Sequence, residues 1–240
     1  MVKNIKVIGL NGSPNRNGNT ATLIKWVLDG CHEAGAEVEL LNVSDYDIKY
    51  CLGCNSCLRE GACIITDDYQ AVYNKIIEAD GIVVGSPVYA DAPTAILKTL
   101  MDRMTLLNLY AATFQKKYSI GVATSGLAPT KGVAKGIAEM FGQRCGAIGA
   151  TTATLENGPQ PLEQNHRPDL PARANKLGKR FVNRISANKP VFSLKSLWIN
   201  ILRKYLLSKM VTRFPKFFGG AININPGLYG LSETKEKNLQ

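Results

Sequence analysis

Four of the six cysteines of this chain lie within thirteen positions, in the stretch KYCLGCNSCLREGACIITDD at residues 49–68. Clustered thiolates can bind iron–sulfur or zinc sites, form disulfides or carry out thiol chemistry. The spacing differs from the bacterial ferredoxin run, and zinc sites with four cysteines usually draw on two separated pairs. The residues alone leave four alternatives: an iron–sulfur cluster, a zinc site, a thiol or disulfide loop, and plain lining of a pocket. The four are Cys51, Cys54, Cys57 and Cys63, in the pattern C-x2-C-x2-C-x5-C.

A second chemical feature is the loop GLNGSPNRNGNT at residues 9–20, which follows a short apolar run. Small residues let backbone N–H groups converge on an anion, and the helix expected next presents its positive end. The loop lacks the Gly-Lys-Ser/Thr of a triphosphate-binding loop, and its glycines do not have the dinucleotide spacing. It predicts a site for one terminal phosphate, or else an ordinary turn with a helix cap. The predicted donors are Ser13, Asn15, Arg16, Asn17, Asn19 and Thr20.

Alternating strand and helix patterns must position these loops. Strands that alternate with helices indicate βαβ units and one parallel sheet covered on both faces. We therefore predict a three-layer α/β fold with a doubly wound, five-stranded parallel sheet. Ligands of such sheets lie beyond the carboxyl ends of the strands, so the loops after strands one, three and four are the expected site. The predicted strands are 5–10, 38–43, 81–85, 118–123 and 147–155, and the predicted helices are 20–33, 69–77, 94–109, 132–141 and 171–187.

Two motifs, GSPNRNGNT at 12–20 and GSPVYADAPTAILKTLMDR at 85–103, resemble those of the flavodoxin-like NAD(P)H-dependent FMN reductases. The cysteine spacing is similar to that of the iron–sulfur flavoproteins within them. The resemblance covers roughly residues 3–155. It implies a non-covalent FMN, with its phosphate on residues 13–20, and a [4Fe–4S] cluster on the four cysteines. The implied ring contacts are Ser86, Pro87, Val88, Tyr89, Thr124, Ser125 and Gly126.

The resemblance also implies a homo-oligomer, dimer or tetramer, with NAD(P)H or ferredoxin as electron donor. Relatives of this kind can keep similar cysteines without a cluster, so the alternatives for the cysteine loop stay open. FMN takes up a hydride and releases single electrons, and no acid or base side chain is needed for that. Tyr89 is expected to line the pocket, and no catalytic side chain is predicted.

Other motifs carry little chemistry. The two histidines, His32 and His166, belong to no ligand motif, and no G-x-S-x-G supports a hydrolase. Asp67 and Asp68 are predicted to cap a helix. The N-terminus does not have the pattern of a secretory signal, and no run of about 18 apolar residues suggests a span. We therefore expect a cytoplasmic protein.

The positive charge is concentrated in the last part of the chain. Residues 1–170 carry 15 Lys/Arg and 17 Asp/Glu, whereas residues 171–240 carry 14 and 2. Within a predicted extension, 188–240, the stretch LKSLWINILRKYLL has apolar residues at helical spacing. Three interpretations compete: packing on a neighbouring subunit, peripheral contact of 194–218 with anionic lipid, and docking of an acidic redox partner. Nucleic acid is not an expected partner, because no binding module accompanies the charge.

Together these observations predict a flavodoxin-like domain over 1–187, with its cysteine loop at 51–63, followed by the basic extension. The predicted function is an FMN iron–sulfur flavoprotein that relays electrons between the cluster and FMN. One alternative is a cluster-free FMN-dependent NAD(P)H reductase of quinones, azo compounds or similar small-molecule acceptors. A second alternative is an electron carrier or redox sensor without a substrate.

Overall fold

A computed structural model of the chain describes residues 4–153, 160–164, 168–191 and 194–229. Five parallel strands form its sheet, in the order β2-β1-β3-β5-β6, and a two-residue strand, β4, pairs antiparallel with β3. Without β4 this is the 2-1-3-4-5 order of flavodoxin-like sheets, so the predicted fold class is confirmed. The strands are β1 Lys6–Asn11, β2 Glu37–Asn42, β3 Gly81–Tyr89, β4 Ala92–Pro93, β5 Tyr118–Ser125 and β6 Gln143–Thr151.

Helices cover both faces of the sheet, because every central strand is apolar on both sides. One core cluster joins the sheet to α1 and α6, and a second joins the opposite face to α3, α4 and α5. A short helix, α2, lies inside the cysteine loop. The helices of this domain are α1 Asn19–Glu33, α2 Ser56–Glu60, α3 Tyr69–Glu78, α4 Ala95–Ala111, α5 Lys131–Met140 and α6 Leu170–Ser186.

Two strands extend four residues beyond a predicted end. β3 does not end at Gly85 but continues to Tyr89, because Val88 and Tyr89 pair with β4 in a hairpin. The last strand begins at Gln143, opposite Tyr118, rather than at Ala147. The first residues of β6 are polar, so a search for apolar runs does not detect the start of this strand. β6 ends at Thr151, so Thr152 and Ala153 lie outside the strand predicted to include them. Residues 154–155 lie outside the described residues, as do His166 and the final residues 230–240.

The described part of the basic extension is helical and packs on the main domain. α7 Leu194–Leu202 runs into a π-helical turn, Arg203–Leu207, which is followed by α8 Ser208–Arg213 and α9 Pro215–Ile224. Side chains of α8 and α9 form a third apolar cluster with Leu58 of α2 and Ala111 of α4. The boundary predicted at 187/188 falls just after α6, and its status as a domain boundary stays a prediction.

Candidate functional site

The loops after β1, β3 and β5 meet at one edge of the sheet, as predicted. Asn11 at the end of β1 lies opposite Gly85 of β3, and Pro87 of β3 lies opposite Thr124 of β5. The Gly12 N–H donates to the Gly85 carbonyl at 2.8 Å. The first two loops are therefore joined directly where they leave the sheet.

The loop after β1 is shaped by its own side chains. The Asn11 Oδ1, Ser13 Oγ and Asn15 Oδ1 atoms each accept the backbone N–H two residues further on, at 3.1–3.2 Å. Short polar side chains stabilise turns in this way. The predicted donors Ser13 and Asn15 therefore hold the loop in shape, while Asn17 lies exposed at its tip. Gly18, at the N-cap of α1, has no side chain that could accept hydrogen bonds from the first helical N–H groups. These N–H groups therefore stay available at the start of the helix.

Two other predicted phosphate donors are engaged elsewhere. The Arg16 Nε lies 2.7 Å from an Asp45 carboxylate oxygen. The Asn19 side chain donates to the Gln160 carbonyl at 3.0 Å and accepts the Leu162 N–H at 2.9 Å. Both residues connect the loop to neighbouring segments, so any contribution to a phosphate would come after rearrangement or through their backbone.

A pair of threonines joins the first loop to the third. The Thr20 and Thr124 hydroxyl oxygens are 2.6 Å apart, and both residues are buried. In the third loop, the Ser125 hydroxyl donates to the Ala128 carbonyl at 2.5 Å. A Cβ added at Gly126 would meet no atom within 4 Å. In the third loop, the backbone at Gly126 is therefore unobstructed, and it lies next to Thr124 and Ser125, which hydrogen bonds hold in place.

The β3–β4 hairpin forms the second side of the site. Its turn residues, Ala90 and Asp91, have φ angles of 48° and 57°. The buried Ser86 hydroxyl donates to the Pro87 carbonyl at 2.7 Å and accepts the Thr94 N–H at 2.9 Å. Ser86 therefore fixes the hairpin from inside, whereas the Tyr89 side chain is 57% exposed. Pro87 is partly exposed and Val88 buried, so Tyr89 offers the accessible aromatic surface.

Thr94 is a positioning residue that sequence reasoning missed. Its hydroxyl donates to the Gly12 carbonyl at 2.5 Å and accepts the Leu97 N–H at 3.3 Å, which caps α4. It therefore connects the first loop, the hairpin and the start of α4. A threonine directly before a helical apolar pattern is a recognisable capping signal, although its bond to Gly12 has no sequence signature.

The cysteine loop is exposed and strongly bent. Gly53, Asn55 and Gly61 adopt left-handed conformations, with φ of 65°, 58° and 78°. All four thiols are free: Cys51 and Cys54 are exposed, and Cys57 and Cys63 are partly buried. Burial raises the pKa of Cys57, and the charges of Cys63, Cys51 and Cys54 raise it further. The other three thiols therefore lie near enough to disfavour a thiolate at Cys57.

Four cysteine thiols in one loop are the donor set that a [4Fe–4S] cluster uses. Within the described ranges, no group of three or more Cys, His, Asp or Glu side chains is arranged to hold one metal ion. A [4Fe–4S] cluster is bound by four cysteine thiolates, one on each of four separate irons. It therefore does not require three thiols to converge on a single point, and its positive irons would relieve the repulsion around Cys57.

A buried ion pair holds the base of the cysteine loop. An Arg103 Nη1 lies 2.7 Å from an Asp67 Oδ2, and neither side chain is exposed. The same Nη1 donates to the Lys49 carbonyl at 2.8 Å, and the guanidinium lies 4.4 Å from the Tyr69 ring centroid. Arg103 Nε is buried without a hydrogen-bond partner in the part of the chain described. The pair therefore clamps both ends of the loop, at Lys49 and Asp67, to helix α4.

The ion pair explains the ionisation of both partners. Burial alone would raise the pKa of Asp67, but Arg103 and the Lys49 and Tyr69 N–H groups lower it below its ordinary value. Burial alone would lower the pKa of Arg103, but Asp67 and Cys63 raise it. The prediction that Asp67 and Asp68 only cap a helix is thus too narrow. Asp67 does accept the Tyr69 N–H at 3.1 Å, but its main partner is Arg103.

The importance of Arg103 was also missed by sequence reasoning, although a signal exists. Its position lies three residues after Leu100 and four before Leu107, on the stripe of α4 that is buried. A charged residue on an apolar stripe indicates a buried ionic partner, because an unpaired buried charge is too costly. Asp67 lies 36 residues from Arg103 in the sequence, so the pattern on α4 does not identify it as the partner.

Comparisons with known proteins agree with this architecture. A family model described as NADPH-dependent FMN reductase matches residues 5–158. An iron-sulfur flavoprotein of Methanocaldococcus jannaschii is 42% identical over 121 residues, which are 50% of this chain and 61% of that protein. One of Clostridioides difficile is 25% identical over 77% of this chain and 82% of its own length. The solved structure of RosB with a bound 8-demethyl-8-formylriboflavin-5'-phosphate intermediate has a TM-score of 0.59, 18% identity and coverage of 84% and 81%.

These matches differ in what they establish. The chain spans less than two thirds of the length of the archaeal relative, and the likeness to RosB concerns the fold alone. The family model, in contrast, covers well over half of the chain and includes the three loops at the strand ends. The chain therefore belongs to the NADPH-dependent FMN reductase family.

Proposed function

We propose that this chain is an FMN-dependent oxidoreductase that relays electrons between FMN and a [4Fe–4S] cluster held by Cys51, Cys54, Cys57 and Cys63. The observation that carries the proposal is the meeting of three small-residue loops at the switch point of the sheet, in a member of an FMN reductase family. The similarity to iron-sulfur flavoproteins supports the cluster. The electron donor is NAD(P)H or ferredoxin, and the acceptor is a redox protein or a small molecule.

The phosphate of FMN would bind over the start of α1. The helix N-terminus supplies backbone N–H groups and the positive end of the helix dipole. Gly18 leaves that end open, and the exposed Asn17 lies next to it. Ser13, Asn15 and Thr20 hold the loop in shape around this point, while Arg16 would contribute its charge only on leaving Asp45.

The flavin ring would rest between the hairpin and the loop after β5. Bound FMN supplies hydride and single-electron transfer. Pro87 and Val88 provide a fixed wall, because Ser86 hydrogen bonds hold the hairpin in place. The exposed ring of Tyr89 would cover one side of the flavin, and the open backbone at Gly126 would allow close approach from the other. The residues orient the ring and shield it from water, and none acts as an acid or base.

Anaerobic purification with metal and flavin analysis tests the proposal. We expect one FMN and about four irons per chain, with a broad visible absorption beside the flavin bands that dithionite bleaches. Cys57→Ser should lose the iron and keep the FMN, because the cysteine loop and the strand-end loops are built from different residues. A colourless protein that binds no added FMN would overturn the proposal as a whole.

A cluster-free NAD(P)H reductase is the second candidate function. The exposure of Cys51 and Cys54 favours it, because exposed thiols can wall a pocket or carry out exchange chemistry. FMN without iron after anaerobic purification, together with rapid flavin reduction by NADPH or NADH, would select this candidate. Flavin that neither nucleotide reduces would leave a carrier or sensor that is fed by another redox protein.

The assembly and location also belong to this proposal. We expect a homo-oligomer in the cytoplasm, with the cysteine loop near the flavin of the same or a neighbouring subunit. Light scattering coupled to size-exclusion chromatography measures the mass of the assembly, and a single-chain mass of 26.1 kDa would contradict this part.

A further inference from the structure

Exposed apolar side chains are concentrated in the basic extension. Eight of the thirteen large apolar side chains that are exposed in the described residues lie between 197 and 224. Trp198 is 64% exposed, and Tyr205 and Leu206 are each 61% exposed. Exposed apolar side chains concentrated in one segment of a folded chain indicate an interaction site. The eight, which we call the apolar surface of the extension, are Leu197, Trp198, Ile201, Tyr205, Leu206, Phe214, Phe217 and Ile224.

This exposure coexists with firm packing of the opposite side. Arg203 is 8% exposed, and its guanidinium donates to the Asn108 and Leu109 carbonyls, at 2.6 and 2.8 Å. These carbonyls belong to the last turn of α4, where a cation is favoured. Val211 and Phe218 are buried against the main domain. The segment is therefore anchored by one side, and the fold directs its other apolar side outward.

The charged residues of the extension between residues 197 and 224 have a single sign. Lys209, Arg213 and Lys216 are exposed, and the Arg213 guanidinium lies 6.0 Å from the Phe214 ring centroid. The sequence contains no acidic residue between Asp169 and Glu233. Aromatic and aliphatic side chains beside Lys and Arg, with no anions, are typical of segments that lie at the interface of a membrane.

We propose that residues 197–224 dock peripherally on an anionic lipid surface. The apolar side chains would enter the boundary between headgroups and acyl chains, and the cations would contact lipid phosphates. A second copy of the chain is a poorer occupant, since it would bring a surface of the same positive charge face to face. None of the helices in the described ranges has the length and apolar character of a membrane span, so the contact would be peripheral. The proposal does not depend on the redox function.

Docking would bring the cysteine loop close to the lipid. The Gly220 backbone of α9 contacts the Gly61 backbone at the end of α2, since a Cβ at Gly220 would lie 1.9 Å from the Gly61 nitrogen. Cys57 is a member of the apolar cluster that α9 forms with α2 and α4. The helix that carries Cys57 is therefore attached to the docked extension by direct packing.

Tryptophan fluorescence of the full-length chain tests the docking. The chain has two tryptophans, and Trp26 is partly buried against the core. Trp26→Phe therefore leaves Trp198 as the only reporter. With vesicles that contain phosphatidylglycerol, we expect a blue shift of Trp198 and roughly tenfold tighter binding than with phosphatidylcholine alone. High salt should weaken this binding by screening.

Flotation with matched variants completes the test, and it applies to the chain with both tryptophans should Trp26→Phe not fold. Leu206→Asp and the double change Lys209→Glu/Lys216→Glu should each lose flotation with phosphatidylglycerol vesicles. Leu127→Asp is the matched control, because Leu127 is as exposed as Trp198, at 64%, but lies outside the extension. It should float like the unmodified chain. Absence of flotation, equal binding to both vesicle types, or self-association that Leu206→Asp abolishes would each overturn the proposal.

Discussion

The loops at the strand ends and the cysteine loop are held in different ways. In the first region, the hydroxyl groups of Ser13 and Ser86 brace individual loops, and those of Thr94 and Thr20 connect the loops to one another. In the second, Cys51 and Cys54 are exposed, and the loop is fixed at its base by Asp67 and Arg103 and along its side by α9. One region is rigid through internal hydrogen bonds. The other depends on anchors at its edges, and two of its four thiols are exposed.

This difference suggests a division of roles. A preformed site binds its ligand without first ordering its own groups, which suits a cofactor that is bound as a whole. An iron–sulfur cluster, in contrast, is assembled on its thiolates from iron and sulfide. A loop with exposed thiols and fixed ends would suit such a cluster, because iron and sulfide must reach the thiolates. Four predictions test the comparison, from the largest expected effect to the smallest.

Arg103→Leu should destabilise the chain most. The change leaves the Asp67 carboxylate buried without its partner, which typically costs about 3–5 kcal/mol. We expect that loss in the free energy of unfolding by chemical denaturation, together with faster alkylation of Cys63. Lys98→Ala is the matched control on the same helix, because its pair with Asp102 is exposed and should contribute less than about 1 kcal/mol. Equal losses in the two variants would contradict a special role for the buried pair.

Gly220→Ala should separate the extension from the cysteine loop. Its Cβ would overlap the Gly61 nitrogen, and overpacking of this kind costs about 1–3 kcal/mol. We expect faster hydrogen exchange in α2 and α9, with the strand-end loops unchanged. Gly227→Ala is the control, since a Cβ there meets nothing within 4 Å. Faster exchange that reached the loop after β1 would show that the two regions are not independent.

Thr20→Val should weaken the strand-end site. The change removes one of two buried hydroxyls and leaves that of Thr124 without this partner, at a cost of about 1–2 kcal/mol. We expect a lower free energy of unfolding and weaker FMN binding in a fluorescence titration, with unchanged thiol reactivity. Thr20→Ser keeps the hydroxyl and should bind FMN like the unmodified chain. Normal FMN binding by Thr20→Val would mean that the threonine pair does not organise the site.

The stability difference between the unmodified chain and Arg103→Leu should shrink in acid. The folded-state pKa of Asp67 lies below its ordinary value of 3.8. Its stabilising contribution is therefore present above 3.8 and lost as the pH falls through the folded value. In Arg103→Leu, burial acts without the guanidinium, and this acid loss should disappear. Denaturation at several pH values between about 3 and 6 measures the difference, and a constant difference would contradict the assignment.

The parts of the molecule that sequence could predict are those with local or periodic signals. The doubly wound parallel sheet follows from five strand–helix repeats, the flavodoxin-like order is implied by the family resemblance, and the three loops follow from Gly, Ser, Thr and Asn at strand ends. The Asp67–Arg103 pair, the Thr94–Gly12 bond and the Thr20–Thr124 contact join residues 36, 82 and 104 positions apart. Each partner is an ordinary residue in its own segment, so only the folded arrangement identifies the pairs.

The basic extension is a second case in which the sequence pattern predicts an element but not its contacts. Helical spacing predicted an amphipathic segment over 194–206, but spacing does not state which side faces the domain. The structure buries Arg203 and exposes Trp198, because the α4 carbonyls at Asn108 and Leu109 accept from the guanidinium. Whether the predicted ring and phosphate residues contact FMN stays a prediction until the flavin titrations are made.

The crossing of α2 and α9 offers a way to recognise relatives built in the same manner. Gly61 would be favoured even without α9, because its φ of 78° suits glycine. Gly220 has no such backbone requirement. A side chain is excluded there only because the backbone at Gly61 lies so close. Among family members with a long C-terminus, we therefore expect a glycine at the position of Gly220 to distinguish extensions folded against the cysteine loop from tails that merely follow the domain.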